Sequence, residues 1–123
     1  MFLNYPRVFY LAKVDFTTEN LSMIPSHSYH NEICFEWDQK KNLSNIAKHG
    51  ISFEVARQVF FDPFCRLVDS TPEPWTETRQ GLIGYPESGP MHLVVHLELS
   101  EQAFRIISAR CATPSECRIY DGG

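Results

Sequence analysis

Beyond Pro63 the hydrophobic period of this chain changes from helical to alternating, and that change limits the fold more than any other feature. Upstream, Val55 and Ala56 followed by Val59 and Phe60 form an apolar helical face, with Ser52 as its N-cap and Pro63 as its stop. Downstream the period falls to two. FCRLVDS, TRQGLIGYP, MHLVVHLEL and FRIISARCA read as strands, separated by the turn-rich segments TPEPWTE, ESGP and SEQ. Small helices followed by a run of strands predict an α+β fold, with the helices packed on an antiparallel β-sheet.

Capping signals fix the flanking elements. CFEWD alternates as a short first strand, and Asp38 then caps a helix whose narrow apolar stripe is Leu43 and Ile46. Gly50 terminates it in the left-handed geometry that glycine favours. Lys48 and His49 occupy its last turn, where the helix dipole favours cations. In TPSECRIYDG, Thr113 as N-cap, Pro114 at the first helical position and Glu116 at the third predict a short C-terminal helix opened by a capping box. Trp37, at a strand–helix junction, is expected in the core. Trp75 is expected in a loop, open to a partner. Residues 1–31 read as an N-terminal extension, a short strand or arm and then a linker, ahead of a domain over 32–123. Met23 is an alternative translation start. His27 and His30 in the linker have no carboxylate or thiol arranged beside them and are expected in solvent.

Strand alternation places Leu93, Val95, Leu97 and Leu99 on one face and His92, Val94, His96 and Glu98 on the other. A hairpin tipped by Glu101 and Gln102 sets Glu98 opposite Arg105 and His96 opposite Ile107. Arg105 and Arg110 are an odd number of residues apart, so a regular strand sends them to opposite faces. Only a bulge or an early strand end near Ala109 lets both serve one site.

Composition excludes several classes. With 123 residues the chain makes one domain, and a net charge of -4 argues against coating nucleic acid through bulk charge. Any such role needs a local basic patch. Cys34, Cys65, Cys111 and Cys117 are too scattered for a disulfide framework or a zinc knuckle and read as buried or idle thiols in a reducing compartment. Apolar runs fall short of a membrane span, and charges interrupt MFLNYPRVFYLAKVDF as a signal peptide. A cytoplasmic protein is expected. There is no phosphate loop, GxSxG elbow or HExxH helix. His92 and His96 lack a third ligand, so neither a metal nor a cofactor is expected.

What remains is a set of cations around one sheet: Lys48, His49, Arg79, Arg105 and Arg110. Arginine's planar fork pairs with phosphate, and imidazole both takes and gives protons near neutrality. Such a set suits cleavage of a phosphodiester, with one group taking the 2′-hydroxyl proton and cations steadying charge on phosphate oxygens. An ordinary salt-bridged surface is the competing reading of the same residues.

FEWDQKKNLSNIAKHGISFEVARQVFFDP, ETRQGLIG, LVVHLEL and RIISARCATPSECRIYDG, in that order, closely resemble the BrnT-like toxins of type II toxin–antitoxin modules. The landmarks are Trp37–Asp38, Asn45, Lys48-His49-Gly50, Ser52-Phe53-Glu54, Asp62-Pro63, Arg79 before Gly84, and the strand from Arg105 to Ala112. The resemblance implies a RelE-like ribonuclease fold, RNA as substrate and arrest of translation. It also implies an antitoxin with a ribbon-helix-helix domain, through which alone the toxin meets DNA. By position His49, Arg79 and Arg110 are the expected catalytic residues, and Lys48, Arg105 and His96 the expected substrate contacts. The family's final segment usually reads more basic than Cys111-Ala112-Thr113-Pro114-Ser115-Glu116-Cys117-Arg118. Fewer cations mean fewer phosphate contacts. A degenerate, non-catalytic toxin that holds a DNA-binding partner is therefore the alternative expectation.

Overall fold

In a computed structural model, residues 7–13, 32–69 and 79–122 are described. Met23, His27, His30 and Trp75 lie outside them. Strand β1 (Arg7–Lys13) pairs antiparallel with β2 (Glu32–Asp38), so part of the N-terminal extension forms a sheet edge. Helix α1 (Gln39–His49), the short α2 (Phe53–Ala56) and a 3-10 turn (Arg57–Phe61) follow. Then come β3 (Arg66–Asp69), β4 (Gln80–Gly84), β5 (His92–Ser100), β6 (Ala103–Cys111) and α3 (Pro114–Gly122). The strand order is β1-β2-β6-β5-β4-β3. Every pairing is antiparallel except β2–β6, which is parallel. The sheet is thus mixed at one place, where the chain's first half docks on its last strand.

Local chemistry sets the helix ends. The Asp38 carboxylate accepts from Lys40 N at 2.8 Å, and Gly50, at φ 71°, closes α1 by donating to the Ile46 carbonyl. Ser52 Oγ accepts from Val55 N at 3.1 Å to open α2. Thr113 and Glu116 exchange the two capping-box bonds, at 2.8 and 3.2 Å, at the start of α3.

The sheet buries both faces. Under α1 and α2 lie Phe35, Trp37, Phe53, Val59, Val94 and Ile106, with the Trp37 and Phe53 rings edge to face at 6.0 Å. Under α3 lie Ile83, Met91 and Leu93, met by Cys117 and Tyr120. The expected apolar stripe of α1 is corrected here. Leu43 and Ile46 are 57% and 40% exposed, and Asn42 and Asn45 are the buried positions. The reason is backbone hydrogen bonding. Asn42 Oδ1 accepts from Phe53 N at 2.8 Å. Asn45 Nδ2 donates to the carbonyls of Ile51 (2.9 Å) and Ala109 (2.8 Å), and its Oδ1 accepts from Ala109 N at 3.1 Å. Residues 34–36 of β2 pair with residues 103–105 of β6, and the chain then turns into α1. Asn45 takes over the role of a neighbouring strand at Ala109, satisfying groups that burial makes costly to leave bare.

Asp62 is a second hub. Its carboxylate accepts from Phe64 N at 2.9 Å, Tyr85 N at 2.8 Å and the Tyr120 hydroxyl at 2.9 Å, tying the 3-10 turn to β4 and α3. Gly84 is needed beside it: a Cβ there would come within 3.0 Å of both Asp62 Oδ2 and Val59 Cγ1. The family landmarks Asn45, Asp62 and Gly84 therefore have architectural reasons to be what they are.

The β5–β6 register also differs from expectation. The Glu101–Gln102 tip stands, with Ser100 against Ala103, but Leu99 is skipped, so that Glu98 faces Phe104, Leu97 faces Arg105 and His96 faces Ile106. Ile107 is skipped on the other strand, and Val95 then faces Ser108. The two bulges cancel. Because of the second, Arg105 and Arg110 fall on the same face, that of α3. The bulge lies at Ile107, two residues before the expected place.

Candidate active site

At one end of the sheet a cavity of about 400 Å³ opens between the C-terminus of α1, the start of α2 and the loop into β5. His49, Ser52, Ser88, His92 and Cys111 line it, with apolar walls from neighbouring residues such as Ile46 and Val55. His49 is placed there by helix termination: it is the last residue of α1 before the left-handed Gly50, and it is exposed. Lys48 precedes it, also exposed. His92 and Cys111 face each other across β5 and β6. His92 is 3% exposed, and its Nδ1 has no hydrogen-bond partner. Burial lowers its pKa from the ordinary imidazole value, and the Met91 backbone offsets this only in part. Burial thus favours the neutral form of the ring.

Arg105 and Arg110 lie on the α3 side of the sheet, at different rows of it. Arg105 is ion-paired through Nε with Glu36 of β2. Extending the β4–β5 register by one residue sets Arg79 beside Leu97, which pairs with Arg105, so Arg79 and Arg105 share one row of the sheet. Arg110 lies further along β6. Its guanidinium grips Glu116 with two bonds, Nη1–Oε1 at 3.0 Å and Nη2–Oε2 at 2.9 Å. That bond holds the Glu116 carboxyl below the usual range, ahead of the opposing effect of burial.

These positions revise the expected convergence of His49, Arg79 and Arg110 on one phosphodiester. His49 and Lys48 sit at the α1 end on one side of the sheet, and the arginines lie on the other. His96, an expected substrate contact, is 1% exposed, with ring centroids 4.8 Å from Phe60 and 5.7 Å from Phe104, and lines a different cavity from His49. Conversely, His92 joins His49 at the cavity, a role the sequence reading did not give it. Its only signal was a place at the very start of a strand. Among the described residues no group of three or more His, Cys, Asp or Glu is placed to hold a metal ion, and no helix is long and apolar enough to cross a membrane. All four cysteines are free thiols, and Cys111 is exposed.

The buried imidazoles make a pH prediction. Burial also lowers the pKa of His96, outweighing the Val94 carbonyl and the Glu98 charge. In the unfolded chain both rings take protons below about pH 6.5. The folded state refuses them until lower pH, so it binds fewer protons in that window and its stability falls as pH drops. Asp62 and Glu116, both lowered, add a second loss below about pH 4. Urea midpoints are expected to fall already between pH 7 and 5.5, and to fall less in His96→Leu.

The sequence model of a family described as "Ribonuclease toxin, BrnT, of type II toxin-antitoxin system" matches residues 37–116, well over half of the chain. The chain belongs to this family of ribonuclease toxins. Among solved structures it is similar to the 1.1 Å crystal structure of the Brucella abortus ribonuclease toxin BrnT, with 24% identity over 63% of this chain and 92% of that one, and a TM-score of 0.49. No curated protein matches it.

Proposed function

We propose that the toxin cuts RNA at the mouth of the His49 cavity without a metal ion. The observation that carries this reading is the presence of two imidazoles, one exposed and one buried, around a single opening. The His49 imidazole takes the proton of a ribose 2′-hydroxyl. The 2′ oxygen attacks phosphorus, the bond to the 5′ oxygen breaks, and that oxygen takes a proton from solvent. Lys48 steadies the phosphate charge, and Arg79, Arg105 and Arg110 are proposed to hold the strand where it passes the other side of the sheet. The proposal extends to a cytoplasmic setting, with mRNA as the target and arrest of translation as the effect. A ribbon-helix-helix antitoxin would neutralise the toxin and alone connect it to DNA. Induction of the chain alone is expected to arrest growth and deplete intact mRNA, and His49→Ala to relieve both. Normal growth with abundant folded wild-type protein would count against the reading.

A specific observation favours a second reading, a non-catalytic module that holds an antitoxin-like partner. Among the described residues, the proposed phosphate ligands Arg105 and Arg110 are already ion-paired with carboxylates. Glu116→Gln tests whether Arg110 is open to RNA, because glutamine keeps the capping box while removing the charge that occupies Arg110. If Arg110 is an RNA ligand, this change steepens the salt dependence of RNA binding by about one phosphate contact. An unchanged affinity and salt slope removes Arg110 from the RNA site.

A further inference from the structure

The cavity beside His49 offers more than an acid–base group needs. Ile46, Val55 and Pro90 give it apolar walls, with Ile46 and Val55 at 40% and 36% exposure. Among the described residues its one deeply buried polar side chain is His92, whose ring lines the cavity and whose Nδ1 has no hydrogen-bond partner. Ser88 adds a hydroxyl at the rim.

We propose that this cavity is a base-recognition pocket, in which one unstacked RNA base lies against the apolar walls and the His49 ring and is read at its edge by His92 and Ser88. The inference rests on the ribonuclease reading and deepens it. Three observations select a nucleobase as the occupant. A volume of about 400 Å³ lies in the range that encloses small planar ligands. Single-stranded RNA is recognised by splaying bases onto aromatic or histidine rings and hydrogen-bonding their edges, and the pocket supplies both kinds of group. The position of His49 matters too: a base held inside puts its own ribose, and hence its 2′-hydroxyl, at the mouth beside that imidazole. One pocket thereby selects the nucleotide and presents the bond to be cut.

The test uses the full chain. RNA tetranucleotides, each made uncleavable by 2′-deoxy substitution at one nucleotide and varied there through the four bases, are titrated against wild type and Val55→Trp, which fills the pocket from its wall. Wild type is expected to separate the best from the worst base by about tenfold, and Val55→Trp to lose that preference and shift its cut sites in long RNA. A variant that keeps the wild-type base preference and cut sites overturns the pocket while leaving the ribonuclease reading intact. A second measurement needs no variant: Cys111 is exposed at the same cavity. The preferred tetranucleotide is expected to slow its alkylation by iodoacetamide several-fold. An alkylation rate unchanged at saturating RNA overturns the proposal, even if Val55→Trp fails to fold. Should wild type cut no RNA at all, the ribonuclease reading fails, and Cys111 protection alone decides whether a base still enters.

Discussion

Asn45→Ala is expected to lower the free energy of unfolding by about 3 kcal/mol, because it removes three hydrogen bonds to buried backbone groups. The loss is more than the average worth of the hydrogen bonds removed. Ala109 N and O and the Ile51 carbonyl stay buried when the amide is gone, and each then carries its desolvation cost. Asn45→Asp is a sharper variant. A carboxylate still accepts from Ala109 N but cannot donate to either carbonyl, so at neutral pH it is expected to rescue little. Asn45→Leu, though apolar and of similar bulk, should fail for the same reason. Chemical denaturation of the purified proteins checks this. A loss under 1 kcal/mol for Asn45→Ala would mean that water or a β2 shift replaces the side chain at Ala109.

His49→Ala is the variant with the largest expected effect on activity. His49 is exposed, so stability should change by no more than about 0.5 kcal/mol. Cleavage should fall by roughly 10²- to 10⁴-fold, the usual contribution of a positioned acid–base group. The two readouts must separate. Equal loss of fold and activity would make His49 structural, and unchanged cleavage would move the chemistry to the arginine side of the sheet. Lys48→Ala should give a smaller decrease that shrinks further at high salt, since an exposed ammonium acts on phosphate through screened charge.

Elements whose causes are local were legible in the sequence. Asp38, Ser52 and Thr113 cap what they were expected to cap, Gly50 ends α1, and the period-two segments beyond Pro63 are the strands. Pairings between distant segments were not legible. Nothing in CFEWD says that it will run parallel to β6, and nothing in MHLVVHLEL says that Leu99 and Ile107 will be skipped in turn. Those compensating bulges decide which arginines share a face. Leu43 and Ile46 misled because apolar spacing assumes that burial is driven by hydrocarbon, whereas α1 docks through two amides that complete a strand edge. His92 and His96 looked alike in sequence. Tertiary packing alone separates them: the His96 ring lies against Phe60 and Phe104, and His92 lines the cavity shared with His49.

End-group analysis of RNA cut by the purified wild-type chain in excess chelator tests the account most directly. Attack by a 2′ oxygen deprotonated at His49 predicts fragments ending in 2′,3′-cyclic phosphate and beginning with a 5′-hydroxyl. Intact RNA from a folded protein, or fragments bearing 5′-phosphates, would contradict it.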